Sequence, residues 1–71
     1  MKITKHALFR MQQRGIEEKD VASTISSPDD SGESFGRRKL ARKKIEDKTL
    51  EVVYIEEDDK VVITVYWLED T

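Results

Sequence analysis

Few residue types in this chain could do chemistry, and their spacing narrows what that chemistry would be. His6, Arg10 and Arg14 stand four residues apart. On a helix each step of that kind turns by about 40°, so the three make one slowly rotating stripe. A histidine and two arginines in line can bind an anion, either a phosphate or a partner's carboxylate. They can equally border an apolar face, with the arginine stems packed along it and the histidine bonded locally. A second group is denser: Arg37, Arg38, Lys39, Arg42, Lys43 and Lys44 fall within eight residues. On a strand, Arg38, Leu40, Arg42 and Lys44 share one face, and Lys39, Ala41, Lys43 and Ile45 share the other. Three cations then stand in a row roughly 7 Å apart, a spacing close to the repeat of a nucleic-acid backbone. The same charges could instead guard an edge strand against aggregation. Tyr66 and Trp67 are neighbours near the end of the last apolar run. On a strand they face opposite ways, one ring toward the core and the other free to stack on a base or pack on a neighbouring chain.

What is missing narrows the choice further. The chain has no cysteine and a single histidine, which excludes a disulfide scaffold, a thiolate site and a multi-histidine metal site. It has no phosphate-binding glycine loop, no nucleophile elbow and no carboxylate constellation for a metal. No metal and no cofactor are expected. An enzyme built from this kit would work with His, Lys, Arg and Tyr. The reaction that suits those groups is metal-independent cleavage of RNA. There the 2′-hydroxyl is the nucleophile, and the protein positions the chain, moves protons and stabilises added negative charge.

These residues need a scaffold, and 71 residues allow one domain, residues 1–71. No apolar run approaches the length of a membrane span, and Met1-Lys2 is not followed by an apolar leader. A soluble, cytoplasmic protein is expected. Charge is segregated: residues 1–45 carry a net +5 and residues 46–71 a net −7, giving the overall −2. The basic half could neutralise several phosphates. The acidic tract Glu56-Glu57-Asp58-Asp59 could fold back on it or be a solvated face.

Thr4 to Arg14 reads as a helix, with Thr4 as N-cap and Gly15 as the stop. Ile3 and Leu8 have the spacing of a hydrophobic staple, and Ala7, Leu8 and Met11 share its apolar face. Phe9 lies off that face, so it belongs under a loop or at an interface. A second helix is expected from about Glu18 to Ser26, with Val21, Ala22 and Ile25 inward. Pro28 ends it by disfavouring helix at Ser27. Residues 28–36 are turn chemistry throughout and are expected to be a loop. Beyond them the period becomes two, and strands are expected at Lys39–Ile45, Leu50–Glu56 and Val61–Trp67. The resulting fold class is α+β: two N-terminal helices on one face of a small three- to four-stranded antiparallel sheet.

The run Ile3-Thr4-Lys5-His6-Ala7, then Arg10-Met11, Arg14-Gly15-Ile16, Val21 and Ser27-Pro28-Asp29, resembles the opening of the domain of unknown function 4258 family. Leu50-Glu51-Val52-Val53-Tyr54 and Val61-Val62-Ile63-Thr64-Val65-Tyr66 fit its later part, so the likeness covers nearly the whole chain. That family is grouped with the RelE/BrnT-like toxins of toxin–antitoxin modules. The resemblance implies a RelE-like fold, and RNA cleavage or its relic.

On this reading Arg38, Arg42 and Lys44 bind phosphate, His6 or Tyr66 moves the proton, and Arg10, beside Arg14, helps to stabilise charge. The catalytic candidates are therefore His6, Arg42 and Tyr66; the nucleic-acid-binding candidates are Arg10, Arg14, Arg38 and Lys44. Helix and strand cations are expected to converge on one anion-attracting hollow. The partners implied are RNA or the ribosome, and an antitoxin protein. A non-catalytic module of the same fold, binding RNA or an acidic partner, is the rival reading. A homodimer that buries Phe9 and Trp67 is a third.

Overall fold

The order of elements follows from three local rules: a capped helix, a second helix stopped by proline, and strands written in period two. The computed structural model describes residues 1–68. In it β1 is Lys2–Ile3, α1 is Lys5–Arg14, α2 is Glu18–Ser26, β2 is Asp30–Glu33, β3 is Arg38–Ile45, β4 is Lys48–Glu56 and β5 is Lys60–Leu68.

Thr4 caps α1 as its type predicts. Its hydroxyl accepts from the Ala7 N–H at 3.1 Å and donates to the Ile63 carbonyl at 3.2 Å. Gly15 ends the helix at φ +66°, a left-handed conformation that costs glycine little. The α2 start at Glu17 makes no side-chain cap bond. Instead Glu18 and Asp20 place negative charge in its first turn, where the helix dipole favours it.

The sheet is larger than the sequence suggests. Five strands lie in the order β1-β5-β4-β3-β2, and β1 runs parallel to β5 while the other pairs are antiparallel. The expected three- to four-stranded antiparallel sheet is therefore corrected to a five-stranded mixed one. Both extra strands escaped the sequence pattern for a reason. β2, Asp-Ser-Gly-Glu, contains no β-branched or aromatic residue and is exposed along its whole length; its pairing to β3 is what makes it a strand. β1 has two residues and pairs with Val61 and Val62 near the other end of the chain.

Both helices lie on one face of the sheet. Ala7 and Met11 of α1, and Val21 and Ile25 of α2, pack with Ala41, Leu50, Val52, Tyr54, Val62 and Val65. Leu8 is 46% exposed, so it does not join Ala7 and Met11 in the core. Ala22 is exposed too; Thr24 takes an inward position on α2, its hydroxyl donating to the Asp20 carbonyl at 2.7 Å. Ile63 is an extra residue in β5, because Val53 pairs with Thr64 but Tyr54 pairs with Val62. This bulge belongs to the same stretch whose Val62 and Ile63 carbonyls are bonded by Thr4.

Glu46 and Asp47 form a two-residue turn between the paired Ile45 and Lys48. Glu46 sits there at φ +60°, a left-handed conformation that strains any residue with a Cβ. Glu46→Gly is expected to raise stability by about 1 kcal/mol, read as an upward shift of the thermal midpoint with the fold unchanged by circular dichroism.

Candidate functional site on the open sheet face

Strand alternation divides the cations of β3 between two surfaces. Ala41 and Ile45 face the helices and the core, so Lys39 and Lys43 share their side. Arg38, Leu40, Arg42 and Lys44 project from the opposite face, which no helix covers. Strand register then extends a row across this open face. Asp30 of β2 pairs with Arg42, Arg42 with Glu51, and Glu51 with Tyr66 of β5.

The row is tied by charge. The Arg42 Nε–H donates to Glu51 Oε1 at 2.6 Å, and Nη1 lies 3.4 Å from Asp30 Oδ2. Glu51 is only 3% exposed although it is on the open face, because cross-strand neighbours flank it. Burying a carboxylate is costly unless it is paired and hydrogen-bonded, and Arg42 supplies both. The Glu51 hydrogen bond and charge, with a smaller contribution from Asp30, hold the Arg42 guanidinium above its ordinary pKa despite some desolvation. Arg42 therefore stays positive and can act by charge and geometry, not by exchanging a proton.

The basic cluster is less free than its sequence implies. The Lys39 ammonium pairs with Glu56 at 3.0 Å. Their hydrogen bond, then their mutual charge, raises the lysine pKa and lowers that of the carboxylate. The Lys43 ammonium donates to the Ser27 carbonyl at 2.8 Å, anchoring the end of α2. Among the described residues, Arg37, Arg38 and Lys44 form no ion pair. The open face thus offers Arg38 and Lys44 as free charges on either side of a partly engaged Arg42.

His6, Arg10 and Arg14 lie elsewhere. They belong to α1, which covers the other face of the sheet. His6 and Arg14 are exposed there, and Arg10 donates to Gln13 at 3.3 Å. The expected convergence of helix and strand cations on one hollow is therefore not what the fold builds: two separate surfaces carry them, with the sheet between. Of the three catalytic candidates, Arg42 and Tyr66 share a row and His6 does not join them. The two adjacent rings split as alternation requires. Tyr66 is on the open face, 37% exposed. Trp67 packs against the core, donates its indole N–H to the Arg14 carbonyl at 3.1 Å, and carries the Lys48 ammonium 5.6 Å from its ring centre. Trp67 is thus engaged within its own chain, whereas Phe9 is 59% exposed and lies under no loop.

Glu51 is the residue that sequence reasoning missed. The signal was present: one carboxylate inside the apolar run Leu50 to Ile55, where an unpaired charge would be costly. The hollow beside Arg42, lined by Asp30, Ser31, Gly32, Leu40 and Arg42, has a volume of about 40 Å³. That is room for little more than a water molecule, so a larger ligand would have to lie across the face. A wider cleft of about 510 Å³ opens on the helix side, between the α1–α2 turn and the β3–β4 hairpin, but its lining mixes Glu17, Asp20, Glu46 and Asp47 with Lys19 and Lys48. It offers no single sign of charge to a ligand. Among the described residues there is no cluster able to hold a metal ion, and no helix is long and apolar enough to cross a membrane.

Fold and face together define a small α+β domain with its helices on one side and a cationic, aromatic-bearing sheet surface on the other. The chain belongs to the family described as Domain of unknown function (DUF4258), whose profile matches residues 3–67. Neither the curated proteins nor the solved structures give a match.

Proposed function

We propose that this chain is a RelE/BrnT-like, toxin-type domain that binds RNA across its open sheet face and cleaves it without a metal. The observation that carries the reading is the row Arg42–Glu51–Tyr66, flanked along β3 by Arg38 and Lys44. An arginine has five N–H donors. Two ion pairs engage Arg42 here, so donors remain for a phosphate oxygen. In cleavage the Glu51 carboxylate accepts the proton of the attacking 2′-hydroxyl. Arg42 stabilises the charge that builds on the phosphorus oxygens. The Tyr66 hydroxyl delivers a proton to the departing 5′-oxygen. The products are a 2′,3′-cyclic phosphate and a free 5′-hydroxyl, and no external reactant is consumed. His6 has no part in this scheme.

The test is end-labelled single-stranded RNA incubated with the protein and excess chelator. Cleavage to cyclic-phosphate ends is expected, together with binding but no cutting of DNA, which lacks the 2′-hydroxyl. Glu51→Gln keeps the shape of the side chain and its acceptor toward Arg42. It is expected to slow cleavage by about 10²- to 10⁴-fold and to change affinity only a few-fold. No cleavage by the wild type would remove the catalytic part.

A second reading keeps the surface and drops the chemistry. One observation favours it: Arg42 already bridges two carboxylates, as it would if its task were to satisfy buried Glu51. The domain would then bind RNA, the ribosome or an acidic antitoxin segment through Arg38 and Lys44. Binding that weakens steeply with salt and leaves the RNA intact would select it. A homodimer would have Phe9 but not Trp67 to bury.

A further inference from the structure

Phe35 stands apart from every contact described so far. It is 93% exposed, at the tip of the hairpin joining β2 to β3. The hairpin is not a loose tail: Glu33 pairs with Lys39, and the Ser34 N–H donates to the Arg38 carbonyl at 2.8 Å. Gly36 takes the turn at φ +72°, which glycine adopts without strain. A closed turn thus holds a large apolar ring out in solvent, where it adds nothing to the core. The charges around it are two arginines on one side of the turn and Glu33, paired in register with Lys39, on the other. Arg37 and Arg38 follow after Gly36, neither forms an ion pair among the described residues, and Arg38 begins the open-face row.

Resting on the RNA reading above, we infer that Phe35 is a base-stacking finger that extends the RNA path beyond the end of β3. From Lys44 to Arg38 the strand spans about 20 Å, and the hairpin tip prolongs that line. Arg37 and Arg38 hold the phosphates while the Phe35 ring offers a π-face to a base. Stacking of this kind tolerates any base, so the finger adds affinity and length of footprint but no sequence preference. The two arginines favour an anionic strand over an apolar protein pocket as the occupant.

The experiment compares two polyanions, single-stranded RNA and inorganic polyphosphate, the second having charge but no bases. Phe35→Ala is expected to weaken RNA binding about five- to a hundred-fold, with the salt dependence unchanged because no charge is removed. Polyphosphate binding is expected to stay the same. Phe35→Trp is expected to retain RNA affinity, and Phe9→Ala, exposed on the other layer, to behave as wild type. If Phe35→Ala binds RNA as tightly as wild type, the finger is overturned while the RNA reading stands, and the ring is left for a protein pocket. Equal loss toward polyphosphate would also overturn it, as damage to the hairpin rather than loss of a stack. Failure of the wild type to bind RNA would overturn both.

Discussion

Arg42→Ala is expected to lower the stability of the domain by about 2 kcal/mol and to abolish RNA cleavage. Removing one partner of a fully buried ion pair costs about 3–5 kcal/mol, because the other charge is left uncompensated. Here the arginine side chain is 40% exposed while Glu51 is 3% exposed, so water can partly replace the guanidinium and the figure is reduced accordingly. In a domain of this size the thermal midpoint falls by about 10 °C. Loss of activity alone would not separate function from folding, so the informative variant is a double one. Arg42→Met with Glu51→Leu replaces the pair by apolar side chains of similar reach. Such exchanges are often neutral or stabilising, so thermal unfolding should show the midpoint recovered. RNA cleavage should stay absent. Should the double variant still cleave, neither residue has the assigned role.

Leu50→Ala is the second large effect, at about 3 kcal/mol. Leu50 is fully buried on β4, between Lys43 of β3 and Trp67 of β5 in the register. Small domains are often stable by little more than 5 kcal/mol, so this substitution removes most of the margin. Leu8→Ala is the matched control. Helical spacing groups Leu8 with Ala7 and Met11, but the residue is 46% exposed, and the expected loss is below about 0.5 kcal/mol. Urea unfolding of the two variants, with equal slopes, checks both values. A large loss at Leu8 would mean that α1 is rotated on the sheet.

Leu8 also shows how far the sequence could be read. Cap, stop and proline signals are local, and they placed α1 and α2 well. They could not say how α1 is turned on the sheet, because that depends on β5, some fifty residues later. The three long strands were legible from their period and their β-branched residues. β2 was not, since Asp30, Ser31, Gly32 and Glu33 are turn formers that pairing with β3 overrides. For the site, alternation correctly put Arg38, Arg42 and Lys44 on one face. The Arg42–Glu51 pairing follows from a two-residue turn at Glu46-Asp47, but a three-residue turn shifts the register and hides it. The Glu51–Tyr66 pairing depends on the β4–β5 register, which changes at the Ile63 bulge; no sequence signal marks that residue. The separation of His6 from Arg42 depends on which face the helices cover, a matter of packing.

The bonds from Thr4 to Val62 and Ile63 carry a kinetic consequence. Helix α1 docks on β5, a strand that comes about fifty residues later in the chain. Until that strand is made, Ala7 and Met11 lack the surface they pack on, and α1 stays unsheltered while those intervening residues are added. Contacts this distant in sequence slow the closing step of folding.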